Sequence, residues 1–199
     1  MSQPLKVAIT GGIGSGKTTV LNNFKQYGIP TYIADEEAKR LMQEDDKLIL
    51  SIKETFGEAS YDENGNLNKS YLADKVFQDA KQLQKLNDLV HPAVRKDFQK
   101  WLNTQKSPYV IYESALVFEH GQQDLFDIII LITAPIQMRI KRIKKRNNWT
   151  EKDIKNRMDK QLDDNFKKNK VDYIINNINI SENKEQVSKI NNKILENTH

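Results

Sequence analysis

With 199 residues the chain is long enough for one α/β domain with a real core, and short for two independent domains at roughly 100–200 residues each. It contains no cysteine, which excludes disulfides, thiolate metal sites and a cysteine nucleophile, and its three histidines (His91, His120, His199) argue against a histidine-rich metal centre. The net charge of +4 is unevenly spread: residues 139–170 hold 13 Lys/Arg against 5 Asp/Glu, the mark of a solvated helix, a phosphate-binding face or a nucleic-acid patch.

No apolar run approaches the roughly 20 residues a bilayer-spanning helix needs, and Met1-Ser2-Gln3-Pro4 lacks the basic and apolar regions of a secretion signal. A cytoplasmic protein is expected. Leu5-Lys6-Val7-Ala8-Ile9-Thr10 is a β-branched run that stops at glycines, as a buried parallel strand does. After the glycines Val20, Leu21 and Phe24 recur at helical spacing until Gly28 supplies a stop.

Between that strand and helix lies Gly11-Gly12-Ile13-Gly14-Ser15-Gly16-Lys17-Thr18, the pattern G-x-x-x-x-G-K-[ST]. Its glycines let successive backbone N–H groups converge on phosphate oxygens, and the helix N-terminus adds its dipole. Gly12, Gly14, Ser15, Gly16, Lys17, Thr18 and Thr19 are therefore expected to hold ATP. Lys17 reaches the β- and γ-phosphates, and the Thr18 hydroxyl ligates Mg²⁺. The loop alone does not settle whether the chain is a kinase, a GTPase switch or a motor-type ATPase, and the size argues against a ring ATPase.

Residues 31–34 read as a second strand ending at Asp35. A carboxylate at that edge of an open sheet is either a general base or magnesium ligand, or the N-cap of a helix starting at Glu36. Residues 45–104 read as almost wholly helical, broken by a tight turn at Asn64-Gly65, and suggest a substrate-binding insert. Pro92 interrupts a periodic pattern and predicts a kink or helix junction at His91. Strands resume at 109–112 and 127–133, the latter apolar throughout, as burial on both faces requires.

Pro135 can open the next helix, whose Ile136, Ile140 and Ile143 form a stripe beside a face bearing Arg139, Arg142 and Arg146. Thr150 with Asp153 predicts a fresh helix start, and that helix is expected to carry Arg157 and Gln161 one turn apart. Helix, break, helix over about 139–168 suggests a lid, with its other lysines on a solvated face. A strand at 172–175 and a helix containing Val187, Ile190 and Ile194 complete the chain. The expected fold is α/β, a three-layer P-loop NTPase-like domain spanning 1–199. Its core (1–35, 105–135, 170–199) is a parallel sheet of about five strands flanked by helices, with a helical insert at about 45–104 and the lid.

Thr10 through Thr19, Ile33-Ala34-Asp35, Val76-Phe77-Gln78-Asp79, Leu86-Asn87, His91-Pro92, Leu116-Val117-Phe118-Glu119, and Arg157 with Gln161 resemble the dephospho-CoA kinase family in order and spacing. The resemblance covers nearly the whole chain. It implies transfer of the ATP γ-phosphate to the ribose 3′-hydroxyl of dephospho-coenzyme A, the last step of coenzyme A synthesis. It further implies that Asp35, with Lys17 and Arg142, is catalytic, that Asp35, His91, Pro92 and Glu119 bind the acceptor, and that Arg142 or Arg146 meets the nucleotide. Where the family has Asp-x-Pro-Leu-Leu-Phe-Glu, this chain has Glu113-Ser114-Ala115-Leu116-Val117-Phe118-Glu119, which keeps a carboxylate at the strand end and loses the proline. Lys69 stands for a family arginine, keeping charge without the bidentate fork, and Arg139 for a family glutamine.

The expected partners are ATP, Mg²⁺ and dephospho-coenzyme A, with no nucleic acid or membrane, for a monomer or weak homo-oligomer. Two other readings fit the residues: a nucleotide or nucleoside kinase of similar architecture, and a nucleotide-dependent RNA-binding regulator using the basic cluster. The second has only Trp149 and Phe166 there as stacking rings.

Overall fold

The computed structural model describes residues 3–77, 79–147 and 149–197; Met1, Ser2, Gln78 and His199, named above, lie outside the described residues. The chain runs β1 (Leu5–Thr10), α1 (Lys17–Lys25), β2 (Thr31–Ile33), α2 (Ala34–Glu44), α3 (Asp46–Phe56), α4 (Lys69–Phe77) and α5 (Ala80–Leu102). It continues through β3 (Tyr109–Glu113), β4 (Ile128–Thr133), α6 (Ile136–Arg146), α7 (Glu151–Met158), α8 (Asp164–Lys168), β5 (Tyr173–Asn176) and α9 (Ile180–Glu196). Residues up to Tyr32 together with those from Gln105 onward form one compact unit, and Ile33–Thr104 forms a second.

The strands make a five-stranded parallel sheet in the order β2-β3-β1-β4-β5. Val7, Ala8 and Ile9 of β1 and Ile130, Leu131 and Ile132 of β4 have no exposed surface, as strands covered on both faces must. On one face Ala8 and Ile129 pack with Val117, Phe118, Phe126 and Val171. Side chains alternate along a strand, so Val7 and Ile9 point to the other face. α1 buries Val20, Leu21 and Phe24 and packs against α9, which buries Val187, Ile190 and Ile194. The Tyr109 hydroxyl is buried and donates to Asn191 Oδ1 at 2.6 Å; burial raises its pKa well above the usual phenol value. With β1 central and its neighbours β3 and β4 reached by separate crossovers, the loop after β1 sits where open α/β sheets bind ligands.

In the second unit α5 packs against α2, α3 and α4. Val90, Val94, Phe98 and Leu102 of α5 are buried, as are Leu41, Leu48, Ile52, Phe56 and Leu72 from the other helices. The predicted turn is present: Gly65 has φ 78°, and the Asp62 carboxylate accepts the N–H groups of Asn64 and Asn66 at 2.9 and 2.8 Å. Tyr61, beside it, donates to the Met42 carbonyl at 2.7 Å and is pushed up to about 12 by burial.

Several local expectations need correction. α5 runs unbroken through His91 and Pro92, so there is no helix junction; the proline costs one rung of the ladder, while the buried Val90, Val94 and Phe98 hold the helix on either side. Asp35 is neither at a strand end nor a cap. β2 stops at Ile33, which is the N-cap, and Asp35 lies in the first turn of α2, where its charge suits the helix dipole. Gln161 falls outside α7, which ends at Met158. Of the isoleucine stripe, Ile140 and Ile143 are buried with Ile154, whereas Ile136 is 61% exposed. Thr150 and Asp153 do form the expected capping box.

Candidate active site

The loop after β1 turns through three glycines at positive φ, Gly11 (147°), Gly14 (79°) and Gly16 (89°), and delivers the chain into α1 at Lys17. Among the described residues no acceptor is found for the N–H groups of Gly14, Gly16 and Thr18. Unpaired donors at the head of a helix are a seat for an anion. Lys17 Nζ donates to the Gly11 carbonyl at 2.9 Å and lies 3.6 Å from Glu113 Oε1, at the end of the neighbouring strand β3. Both side chains are nearly buried, so the ammonium is held over the loop by a hydrogen bond and an ion pair. Thr18 and Thr19 are exposed in the first turn of α1, and Gly12 and Ser15 are buried.

Side chains from far along the chain grip this loop from behind. Arg139 Nε donates to the Ile13 carbonyl at 2.9 Å, and its Nη1 meets Asp164 Oδ2 at 3.2 Å. Arg142 donates to the carbonyls of Ser15 (3.2 Å) and Asn177 (2.8 Å). The Gln161 carboxamide oxygen accepts the Ile13 N–H at 2.7 Å. A Cβ at Gly12 would overlap the Arg139 guanidinium, and one at Gly16 the Asn177 amide, so these glycines serve close approach as well as backbone angle.

The three arginines of α6 therefore do not share one anion-facing surface. Arg139 is 7% exposed and tied to Asp164, Arg142 is half-buried on loop carbonyls, and Arg146 is exposed, donating to Asn147 Oδ1. Arg157 stacks over the Trp149 ring at 4.2 Å. Nor are all the lysines here solvated. Lys167 is fully buried, paired at 2.7 Å with Glu119, whose same oxygen accepts the Leu162 N–H at 2.9 Å. Glu119 thus ties β3's following segment to residues 162–167. Asp35 is exposed on α2, His91 half-buried and Pro92 exposed on α5, all in the second unit.

Asn177 and Asn183 had drawn no attention in the sequence, where they sit in an Asn-rich stretch without a recognisable spacing to the glycine loop. Among the described residues no group of three or more His, Cys, Asp or Glu side chains could hold a metal ion, and no helix is long and apolar enough to cross a membrane.

The dephospho-CoA kinase family model matches residues 5–183. The chain belongs to the dephospho-CoA kinase family. A dephospho-CoA kinase of Salinibacter ruber is 37% identical over 174 residues, covering 86% of this chain and 87% of that one. One from Bacteroides fragilis is 33% identical, covering 87% and 84%. Among solved structures, a protein of Thermus thermophilus superposes with a TM-score of 0.86 at 28% identity, covering 96% and 98%. Members of the dephospho-CoA kinase family are kinases that use ATP as co-substrate, and the glycine loop, Lys17 and the unpaired N–H groups are the part of this chain suited to its phosphates.

Proposed function

We propose that this protein transfers the γ-phosphoryl group of ATP to the ribose 3′-hydroxyl of dephospho-coenzyme A, giving coenzyme A and ADP. The observation that carries the reading is the row of N–H groups at Gly14, Gly16 and Thr18, without an acceptor among the described residues, beside a Lys17 ammonium already held in place. Phosphoryl transfer asks the protein mainly for positioning and charge neutralisation, so a preformed donor cradle is the principal requirement. Lys17 neutralises charge building between the β- and γ-phosphates, and Gly12, Ser15 and Thr19 complete the loop around them.

Magnesium suits the donor set. A hard cation that keeps several waters needs few protein oxygens besides the phosphates, and Thr18, exposed at the head of α1, offers a hydroxyl, while Glu113, already ion-paired with Lys17, would add carboxylate charge to the hydration shell. When bound it would supply charge neutralisation at the phosphates. The acceptor side rests on the family resemblance: Asp35 takes the proton of the attacking hydroxyl, His91 and Pro92 shape the acceptor site and Glu119 supports it, while Arg146 is the arginine left to meet the nucleotide and Arg142 acts through the loop carbonyls it holds. A single domain over 1–199, with 45–104 as acceptor-binding insert and 139–168 as lid, acts as a soluble cytoplasmic enzyme on small molecules, as a monomer or weak homo-oligomer.

Incubation of the purified protein with ATP, Mg²⁺ and dephospho-coenzyme A is expected to yield the 3′-phosphorylated product. Turnover no higher than a no-enzyme control would overturn the assignment.

A further inference from the structure

Two asparagines after the last strand are buried for no reason the core supplies. Asn177 is 3% exposed and Asn183 not at all. Taking a carboxamide out of water is costly unless its hydrogen bonds are replaced. Asn177 replaces them on the glycine loop, donating through Nδ2 to the carbonyls of Ser15 (2.7 Å) and Gly16 (3.3 Å), 162 and 161 residues away in sequence. Its orientation is fixed from behind, because Oδ1 accepts from Asn183 Nδ2 at 2.5 Å. A flipped amide would turn its oxygen onto two carbonyl oxygens. Its backbone is fixed as well: the N–H donates to the Thr133 carbonyl at 2.8 Å, extending the β4–β5 ladder, and the carbonyl accepts from Arg142.

The consequence for the loop follows from peptide planarity. In a trans peptide the C=O and the next N–H point in opposite directions. Drawing the Ser15 carbonyl toward Asn177 and Arg142 turns the Gly16 N–H away from them, and drawing the Gly16 carbonyl toward Asn177 does the same for the Lys17 N–H. The Gly16 N–H is one of the donors left without a protein acceptor among the described residues. Gly16 must be glycine for this to work, since a Cβ would overlap the Asn177 amide.

We infer that Asn177, locked by Asn183, is a positioning residue that aims the Gly16 and Lys17 N–H groups at the nucleotide phosphates. The inference rests on the ATP-dependent reading above, yet it concerns the nucleotide half-site alone, and this makes it separable. Preorganised donors matter most where phosphate charge is greatest, so the effect falls on ATP and ADP and spares the acceptor.

The test is nucleotide binding and a KM split on the full chain. Asn177→Asp replaces the donor with an oxygen facing two carbonyls. It is expected to weaken ADP binding by calorimetry about tenfold or more, the scale of one or two lost hydrogen bonds, and to raise KM for ATP similarly. KM for dephospho-coenzyme A should stay within about twofold, a selectivity that a general loss of structure does not give. Unchanged ADP affinity, or equal shifts in both KM values, overturns the inference. Should Asn177→Asp not fold, Asn183→Ala unlocks the carboxamide without removing it: weaker ADP binding supports the inference and wild-type binding overturns it. If the wild type binds ADP but leaves dephospho-coenzyme A unphosphorylated, the proposed reaction fails while the ADP comparison still decides the role of Asn177.

Discussion

The sheet-bearing unit and the helical unit Ile33–Thr104 are organised by different forces. Around the glycine loop, structure is imposed by polar side chains reaching across more than a hundred residues: Arg139 to Ile13, Arg142 and Asn177 to Ser15, Gln161 to Ile13. In the helical unit the buried contacts are apolar and periodic, and the polar contacts are mostly local or exposed, as in the Arg40 cluster with Glu37, Glu44 and Asp97. The difference fits a division of labour. A phosphate cradle needs backbone donors held rigidly, which only buried, directional bonds achieve. A helical unit that bears Asp35, His91 and Pro92 needs only a packed scaffold.

The largest effects expected test that division directly. Lys17→Ala and Asp35→Asn should each lower kcat by about 100-fold or more, if the first stabilises and the second deprotonates in the transition state. They should differ in binding. Lys17→Ala removes a phosphate contact and should weaken ATP, whereas Asp35→Asn should leave ADP affinity near wild type by calorimetry. Near-normal turnover for Asp35→Asn would make that residue a helix-dipole partner only, consistent with its place in the first turn of α2.

A middle-sized effect contrasts the two kinds of ion pair. Lys167 is fully buried against Glu119, whose other carboxylate oxygen is buried without a partner among the described residues. Lys167→Met leaves that carboxylate uncompensated and is expected to cost about 3 kcal/mol by chemical denaturation, with Glu119→Gln in the same chain recovering part of it. The exposed Arg40 cluster should be nearly silent: Arg40→Ala is expected to cost about 1 kcal/mol or less, although three carboxylates surround it and raise its pKa above the usual guanidinium value. Equal costs at the two sites would remove the contrast.

What the sequence made legible follows the same line. The glycine loop, the five strands of the sheet and the Thr150–Asp153 cap are local patterns, each decided within a few residues. Pro92 does not end the helix, because its penalty is local while the packing of Val90, Val94 and Phe98 that outweighs it is not. Lys167 looked like one more solvated lysine, since its partner Glu119 lies 48 residues back. Asn177 gave no signal at all: an asparagine bonding to backbone carbonyls leaves no spacing rule to find. Of the acceptor residues, His91 and Pro92 were named only through family resemblance, because no residue-level chemistry distinguishes them from ordinary helix positions, whereas Asp35 was also marked by its place after the second strand.

The smallest expected effect is on acid stability, and it compares one carboxylate from each unit. The Asp153 carboxyl is held below the usual range chiefly by the Thr150 hydroxyl and then by the Thr150 N–H. Asp62 is held low by the Asn66 N–H and side chain and by the Asn64 N–H. A carboxyl whose folded pKa is depressed binds protons more weakly folded than unfolded, so its contribution is complete above the ordinary carboxylate value and is lost as pH falls through the folded one. Melting temperatures of the wild type and of Asp153→Asn should therefore differ most near neutrality and converge below about pH 4, the ordinary carboxylate value. The same convergence is expected for Asp62→Asn. A gap that stays constant down to acid pH would mean that the side chains act through shape and neutral hydrogen bonding, and the charge on the α7 cap would then contribute nothing to holding residues 150–158 in place.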